Sequence, residues 1–235
     1  AFMAITEDGV RDITIKIAWH SDWLQHSDNN PFVPFVGTNM LLTSGTTNLP
    51  VEEMMALFED KGVDAEVFAR ADHVLGEIEI SNRYIDDILP IPAEMLANPI
   101  YEQRWLDRNI AQLTSQSEQL NAQLDFQMWS AVRRAILGPG NLLDHSNLTP
   151  IDQIKAVTLE EIEAWHNETF TKRPAAIAVT GGATQEQAGQ LVDLLLANLP
   201  ENESAPFGEY AVEYIPGRYL LHAPEAEKTV FGMIG

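Results

Sequence analysis

Between residues 101 and 137 the chain carries neither proline nor glycine, the two residues that break a helix most effectively. Apolar residues recur there at helical spacing, at Trp105, Leu106, Ile110, Leu113, Leu120, Leu124, Met128, Trp129, Val132, Ile136 and Leu137. The spacing predicts one long helix or two abutting ones, stopped by Gly138-Pro139-Gly140. The Ser/Gln-rich centre, residues 114–123, is the expected bend, and its polarity also fits a face turned toward a cavity. Residues 82–96 predict a further helix, broken at Pro90 and Pro92.

Strand patterns lie on both sides of these helices. Val10, Ile13, Ile15, Ile17 and Trp19 alternate with polar residues over 9–19, the period of a strand with one buried face, and this is the expected first strand. Two β-rich runs, 65–71 and 74–80, are expected to pair antiparallel. In the second, Glu77 and Glu79 fall on the face opposite Ile78 and Ile80; paired carboxylates can serve as general acid and base, but the alternation reads more simply as a solvent face. Residues 175–180 form a continuous apolar strand leading through Gly181-Gly182 into a helix over 185–199. A glycine turn there could cradle phosphate, yet neither the dinucleotide nor the P-loop pattern is present, so a tight turn is the simpler reading.

Two further helices are predicted over 31–62. Val36, Gly37, Met40 and Leu41 mix small and apolar residues and suggest a short buried helix closed near Gly45. Pro50 fits the first turn of the next, with Met54, Leu57 and Phe58 as its apolar face and Gly62 as its stop. Residues 20–34 read as a loop, in which His20, His26, Asp22 and Asp28 could be grouped as a metal cluster; exposed loop residues are the plainer interpretation. Thr158 and Glu161 form a capping box opening an amphipathic helix to Phe170. On it Glu163 and His166 have the Glu-x-x-His spacing of di-iron bundles, but a single copy reads as a helix-surface pair.

The order of these pieces resembles the first domain of the M16 metallopeptidases, the family of insulinase, pitrilysin and the mitochondrial processing peptidase. The resemblance runs from the helix, Gly-Thr turn, helix and Lys61-Gly62 layout through 63–73, Met95-Leu-Ala-Asn-Pro99, Thr158-Leu-Glu-Glu-Ile-Glu-Ala-Trp-His166 with Phe170, and Ala178-Val-Thr-Gly-Gly182. It implies an α+β fold, an antiparallel or mixed sheet with helices packed on one face, the half-domain of a LuxS-metallohydrolase-like architecture. Active members carry H-x-x-E-H on the first helix, two His for zinc with a Glu as general base. Here those positions fall among Phe35, Val36, Thr38, Asn39 and Met40, and the acidic positions of the family's long helix align with Arg108 and Ser115. None of these can bind zinc or take a proton from water. The resemblance therefore implies a degenerate half with no catalytic residue and no metal of its own. By the same resemblance, zinc is expected in an active partner half or subunit, and the two halves are expected to form a clamshell around an extended peptide as a zinc metalloendopeptidase. Two alternatives stay open: an active metalloenzyme using His20, His26 and an acid, or a pure scaffold domain. Relatives of this style suggest a periplasmic location, with the cytoplasm as the alternative.

Composition adds exclusions. A net charge of -21 over 235 residues argues against nucleic acid and anionic membrane, since phosphate binding needs clustered Lys and Arg. The acidity otherwise reads as a solvated surface. There is no Cys, hence no disulfide or thiol chemistry, and no apolar run long enough to insert in a membrane. The expected organisation is a first domain over 1–205, then a linker and the opening strand of a following domain over 206–235, with strand pieces at 210–215 and 218–221 and the whole chain a fragment of a longer one.

Overall fold

A computed structural model of the chain describes residues 2–6, 9–26, 28–137, 151–203, 205 and 217–218. The strands and stops expected at 138–150 and beyond 205 lie outside them, apart from two isolated positions. Five strands form one sheet: β1 (Phe2–Thr6), β2 (Asp12–His20), β3 (Asp64–Ala69), β4 (His73–Ser81) and β5 (Ala176–Gly181), in the order β1-β5-β2-β4-β3. The β1–β5 pair is parallel and the other three pairs antiparallel, so the sheet is mixed. The expected first strand is in fact the second. β1 has no polar alternation to announce it, and it is held by β5, which lies more than half the chain away.

The period-two pattern of β2 sets the register of the sheet's centre. Ile15 stands between Ile78 of β4 and Val179 of β5, Ile13 opposite Ile80, and Trp19 opposite Val74, all buried. A slip of one residue would turn this whole row to solvent, so burial fixes the pairing. On the other face Lys16 pairs with Glu77 at 2.7 Å, and Glu79, Asp64 and Glu66 are exposed, as the alternation of 74–80 requires. Both side chains of the Lys16–Glu77 pair touch water, so it contributes no more than about 1 kcal/mol.

The helices α1 (Val33–Leu42), α2 (Val51–Lys61), α3 (Ile85–Ile88), α4 (Pro90–Ala97), α5 (Gln103–Asn121), α6 (Leu124–Leu137), α7 (Ile151–Lys155), α8 (Leu159–Thr169) and α9 (Gln185–Leu196), with short 3-10 turns at Trp23–Gln25 and Asn82–Tyr84, complete the described elements. One buried cluster joins the isoleucine row of the sheet to Val36 and Met40 of α1, Ile162 and Trp165 of α8, and Val192 of α9. The fold is α+β with its core between sheet and helices. The Pro/Gly-free run is two abutting helices, broken at 122–123 at the end of the polar centre. Gly62 closes α2 in the left-handed conformation, φ 64°. Gly45 does not close α1. The helix ends at Thr43, and Gly45 instead bridges to Ile100, exchanging backbone hydrogen bonds of 3.3 and 3.0 Å. Among the described residues no helix is long and apolar enough to cross a membrane.

The glycine turn after β5 is filled by its own backbone. Gly181 has φ 108°, and a Cβ there would lie 2.1 Å from the carbonyl oxygen of Asp12, while one on Gly182 would lie 2.2 Å from that of Val10. These two glycines let the chain pass β2 at close range, which leaves no cradle for phosphate. The capping box of α8 is fully formed: the Glu161 N–H donates to Thr158 Oγ1 at 3.2 Å and the Thr158 N–H to Glu161 Oε2 at 2.9 Å. Thr158→Ala is expected to lower stability by about 1 kcal/mol, read as a shift in urea midpoint, while Thr158→Ser keeps it.

Candidate functional site

The helix to which the sequence resemblance assigns the metal motif is α1. Its sequence is apolar around almost the whole circumference, with Val33, Pro34, Val36, Gly37, Thr38, Met40 and Leu41 buried, so it is a core helix and not a surface one. Pro34 sits in the first turn, where its missing N–H costs nothing. Gly37 is where α8 crosses: a Cβ on it would fall 2.5 Å from the Trp165 ring, so only glycine lets the indole lie against the α1 backbone.

The remaining stripe of α1 consists of Phe35, exposed, and Asn39 and Leu42, partly exposed, at the i, i+4, i+7 spacing of one helical face. Asn39 Nδ2 and Thr38 Oγ1 both donate to the Phe35 carbonyl, at 2.9 and 3.0 Å, so their polar atoms serve the helix itself. Facing α1, α5 offers Asn109, whose Nδ2 donates to Met40 Sδ at 3.3 Å. Arg108 and Ser115 are exposed, Arg108 lying 5.2 Å from the centre of the Trp105 ring. The residue that meets α1 is thus one position away from Arg108, a difference of about 100° around the helix that linear alignment does not resolve.

As a donor set this contact offers a phenyl ring, aliphatic groups, a thioether and two amides. Catalytic zinc takes imidazole and carboxylate ligands, with a carboxylate to activate water, and these side chains do not fit it. Nor are His20 and His26 built into a site. His26 is exposed, 3.7 Å from Asp22, and Asp28 is exposed as well. His20 ends β2 opposite His73, whose Nδ1 is 2.6 Å from Asp72. Among the described residues no three His, Asp or Glu side chains converge as a metal would require.

Glu163 and His166 part company in the structure: Glu163 is exposed, whereas His166 is buried, which corrects the helix-surface reading of the pair. Helical position decides this, because His166 follows Trp165 on the face of α8 turned to the core, against Phe170 at a ring distance of 4.7 Å. Its Nε2 lies 2.9 Å from the Leu96 carbonyl and so carries the proton, leaving Nδ1 to accept from the Tyr101 hydroxyl at 2.9 Å. Burial depresses its pKa to about 4, with the Leu96 carbonyl acting weakly the other way. Burial also raises Tyr101 far above the ordinary phenol value, and the charge of Glu163 adds to this. The pair is a neutral structural bridge between α8, α4 and the start of α5.

The polar centre of the long helical run is only partly exposed. Thr114, Ser117 and Asn121 share one face of α5, and their side-chain oxygens, with that of Ser130 on α6, are buried with no hydrogen-bond partner among the described residues. Buried polar groups left this way cost stability, so this seam is the least satisfied part of the described fold.

Beside α1 runs β3, the last strand of the sheet, paired on one side with β4. Among the described residues its other edge is unpaired, and Asp64 and Glu66 are exposed along it.

Comparison with known proteins places this geometry. No family model matches the sequence. The mitochondrial-processing peptidase subunit beta of Dictyostelium discoideum is 21% identical over 160 residues, which is 68% of this chain and 34% of that protein. In structure, the peptidase M16 inactive domain from Pseudomonas fluorescens superposes with a TM-score of 0.77 at 18% identity, over 89% of this chain and 51% of that one. The first half of the periplasmic protease PqqL from Escherichia coli gives a TM-score of 0.74 at 17% identity, over 90% and 47%. This chain therefore spans about half the length of those solved chains, or less, and about a third of the processing peptidase subunit. These superpositions show that the chain has the fold of one M16 peptidase domain.

Proposed function

We propose that this chain is the non-catalytic half of an M16-type peptidase assembly, one wall of a clamshell chamber whose zinc sits in a partner half or subunit. The observation that carries the reading is the α1–α5 contact, where Asn109 meets Met40 and no imidazole or carboxylate is present at the place the family resemblance assigns to the metal motif. The match to about half of each related chain supports a missing counterpart. Peptide contact is assigned to the open edge of β3, which can take an extended segment as an added strand through its free backbone groups. With Asp64 and Glu66 along that edge, basic extended peptides are favoured.

Two measurements on the purified chain test this. Zinc titration by calorimetry is expected to give no stoichiometric binding, and a quenched basic peptide is expected to bind without being cut. Chelator-sensitive cleavage by this chain alone would sink the proposal, as would one equivalent of zinc lost in His20→Ala or His26→Ala. Absence of any peptide binding would leave a scaffold domain.

A further inference from the structure

On the sheet face turned away from the core, side chains of neighbouring strands line up in rungs that end at the open edge of β3. One rung reads Lys16, Glu77, Glu66 and the next Thr14, Glu79, Asp64. In both, β4 and β3 set two carboxylates directly opposite each other, an arrangement that repels across the strand pair. Lys16 answers Glu77 at 2.7 Å from the β2 side and is the one cation in the two rungs. Asp64, Glu66 and Glu79 are exposed, and no ion pair joins them to a basic residue among the described residues. The Lys16–Glu77 pair shows what satisfies this face: a cation on the adjoining strand, directly opposite the carboxylate. Beside Asp64 and Glu66 that position is unfilled among the described residues.

The rung that follows is Leu75 and Phe68, both apolar, with the Arg70 guanidinium 5.6 Å from the centre of the Phe68 ring. The demand for cations is therefore two rungs long. Residues two apart in a strand share a face and stand about 7 Å from each other, whereas adjacent residues point to opposite faces. Between Asp64 and Glu66 lies Ala65, paired with Ile78 and turned to the core side. On the footing of peptide contact at this edge, we infer that β3 selects segments with two basic residues spaced i, i+2, opposite Asp64 and Glu66, and an apolar residue between them beside Ala65. The pattern reads alike in both directions, so a parallel and an antiparallel added strand meet the same requirement. Two adjacent basic residues fail it, since one of them falls on the core side beside Ala65 and Val67.

The test is fluorescence anisotropy of the whole chain with labelled Thr/Ser-rich peptides carrying Lys-Val-Lys or Lys-Lys-Val at the centre, equal in composition and charge. The Lys-Val-Lys peptide is expected to bind about fivefold more tightly. In the double variant Asp64→Asn, Glu66→Gln, whose substituted side chains are exposed and leave the core untouched, that preference is expected to disappear while backbone pairing keeps weaker binding of both. Equal affinities in the parent chain, or an unchanged preference in the variant, overturn the spacing rule and leave peptide contact at the edge standing. Binding of neither peptide removes the edge contact, and the rule with it.

Discussion

Gly37→Leu is expected to destabilise the fold by about 3 to 5 kcal/mol, the range of severe core disruptions. The Cβ alone would fall 2.5 Å and 2.6 Å from two carbons of the Trp165 ring. The ring has nowhere to go: it is fully buried and packs edge-on against Phe170, which packs edge-on against Trp19 of β2. Relief must come from moving α1 away from α8, which opens the core at Val36 and Met40 and disturbs the α1–α5 contact. Urea unfolding followed by tryptophan fluorescence measures the loss. A companion variant, Trp165→Ala, removes the obstruction but leaves a cavity, at a cost of about 3 to 5 kcal/mol by itself. In the double variant the larger side chain enters the space the indole vacates, so the two costs are expected to sum to more than the combined effect. Strict additivity would mean that the two residues are not in the contact described.

Acidification is expected to remove up to about 3 kcal/mol of stability through His166 alone. The native pKa is about 4 and that of the unfolded chain the ordinary 6.5. Above 6.5 both states hold the imidazole neutral and the contribution is fully present. As pH falls from 6.5 toward 4 the unfolded state takes up a proton that the folded state refuses, and stability declines until, near pH 4, the contribution is lost. In the native state a proton on Nδ1 would replace the Tyr101 hydrogen bond's direction and place a charge among Phe170 and Trp165. The acidic surface works in the opposite sense, because protonating carboxylates relieves self-repulsion at a net charge of -21. The two are separated by comparison with His166→Gln, which shares every carboxylate but cannot titrate. The stability advantage of the parent over this variant is expected to shrink between pH 7 and pH 4.5; a constant difference would show that His166 is not held neutral.

Where an element's identity depends on neighbours a few residues away, the chain's own order of residues was enough. The alternation in β2 and β4 follows from one side of a sheet being dry, and it correctly turned Glu77 and Glu79 outward. The Thr158–Glu161 box, the Gly62 stop and the break near 122 follow from local backbone geometry. The lack of imidazole and carboxylate at 35–40 is likewise plain from residue identity. What lay outside such reading depends on contacts between distant segments. β1 is a strand because β5 holds it, and Gly45 is a bridge residue because Ile100 meets it. Glu163 and His166 differ in burial because α8 rotates one of them against Phe170. Asn109, and neither Arg108 nor Ser115, meets Met40 because a single position turns a helix by about 100°. Local patterning settled the helices and strands whose signals lie within a few residues, whereas the packing of segments far apart in the chain settled β1 and which side chains share a site, since that depends on relative rotations and registers no short stretch encodes.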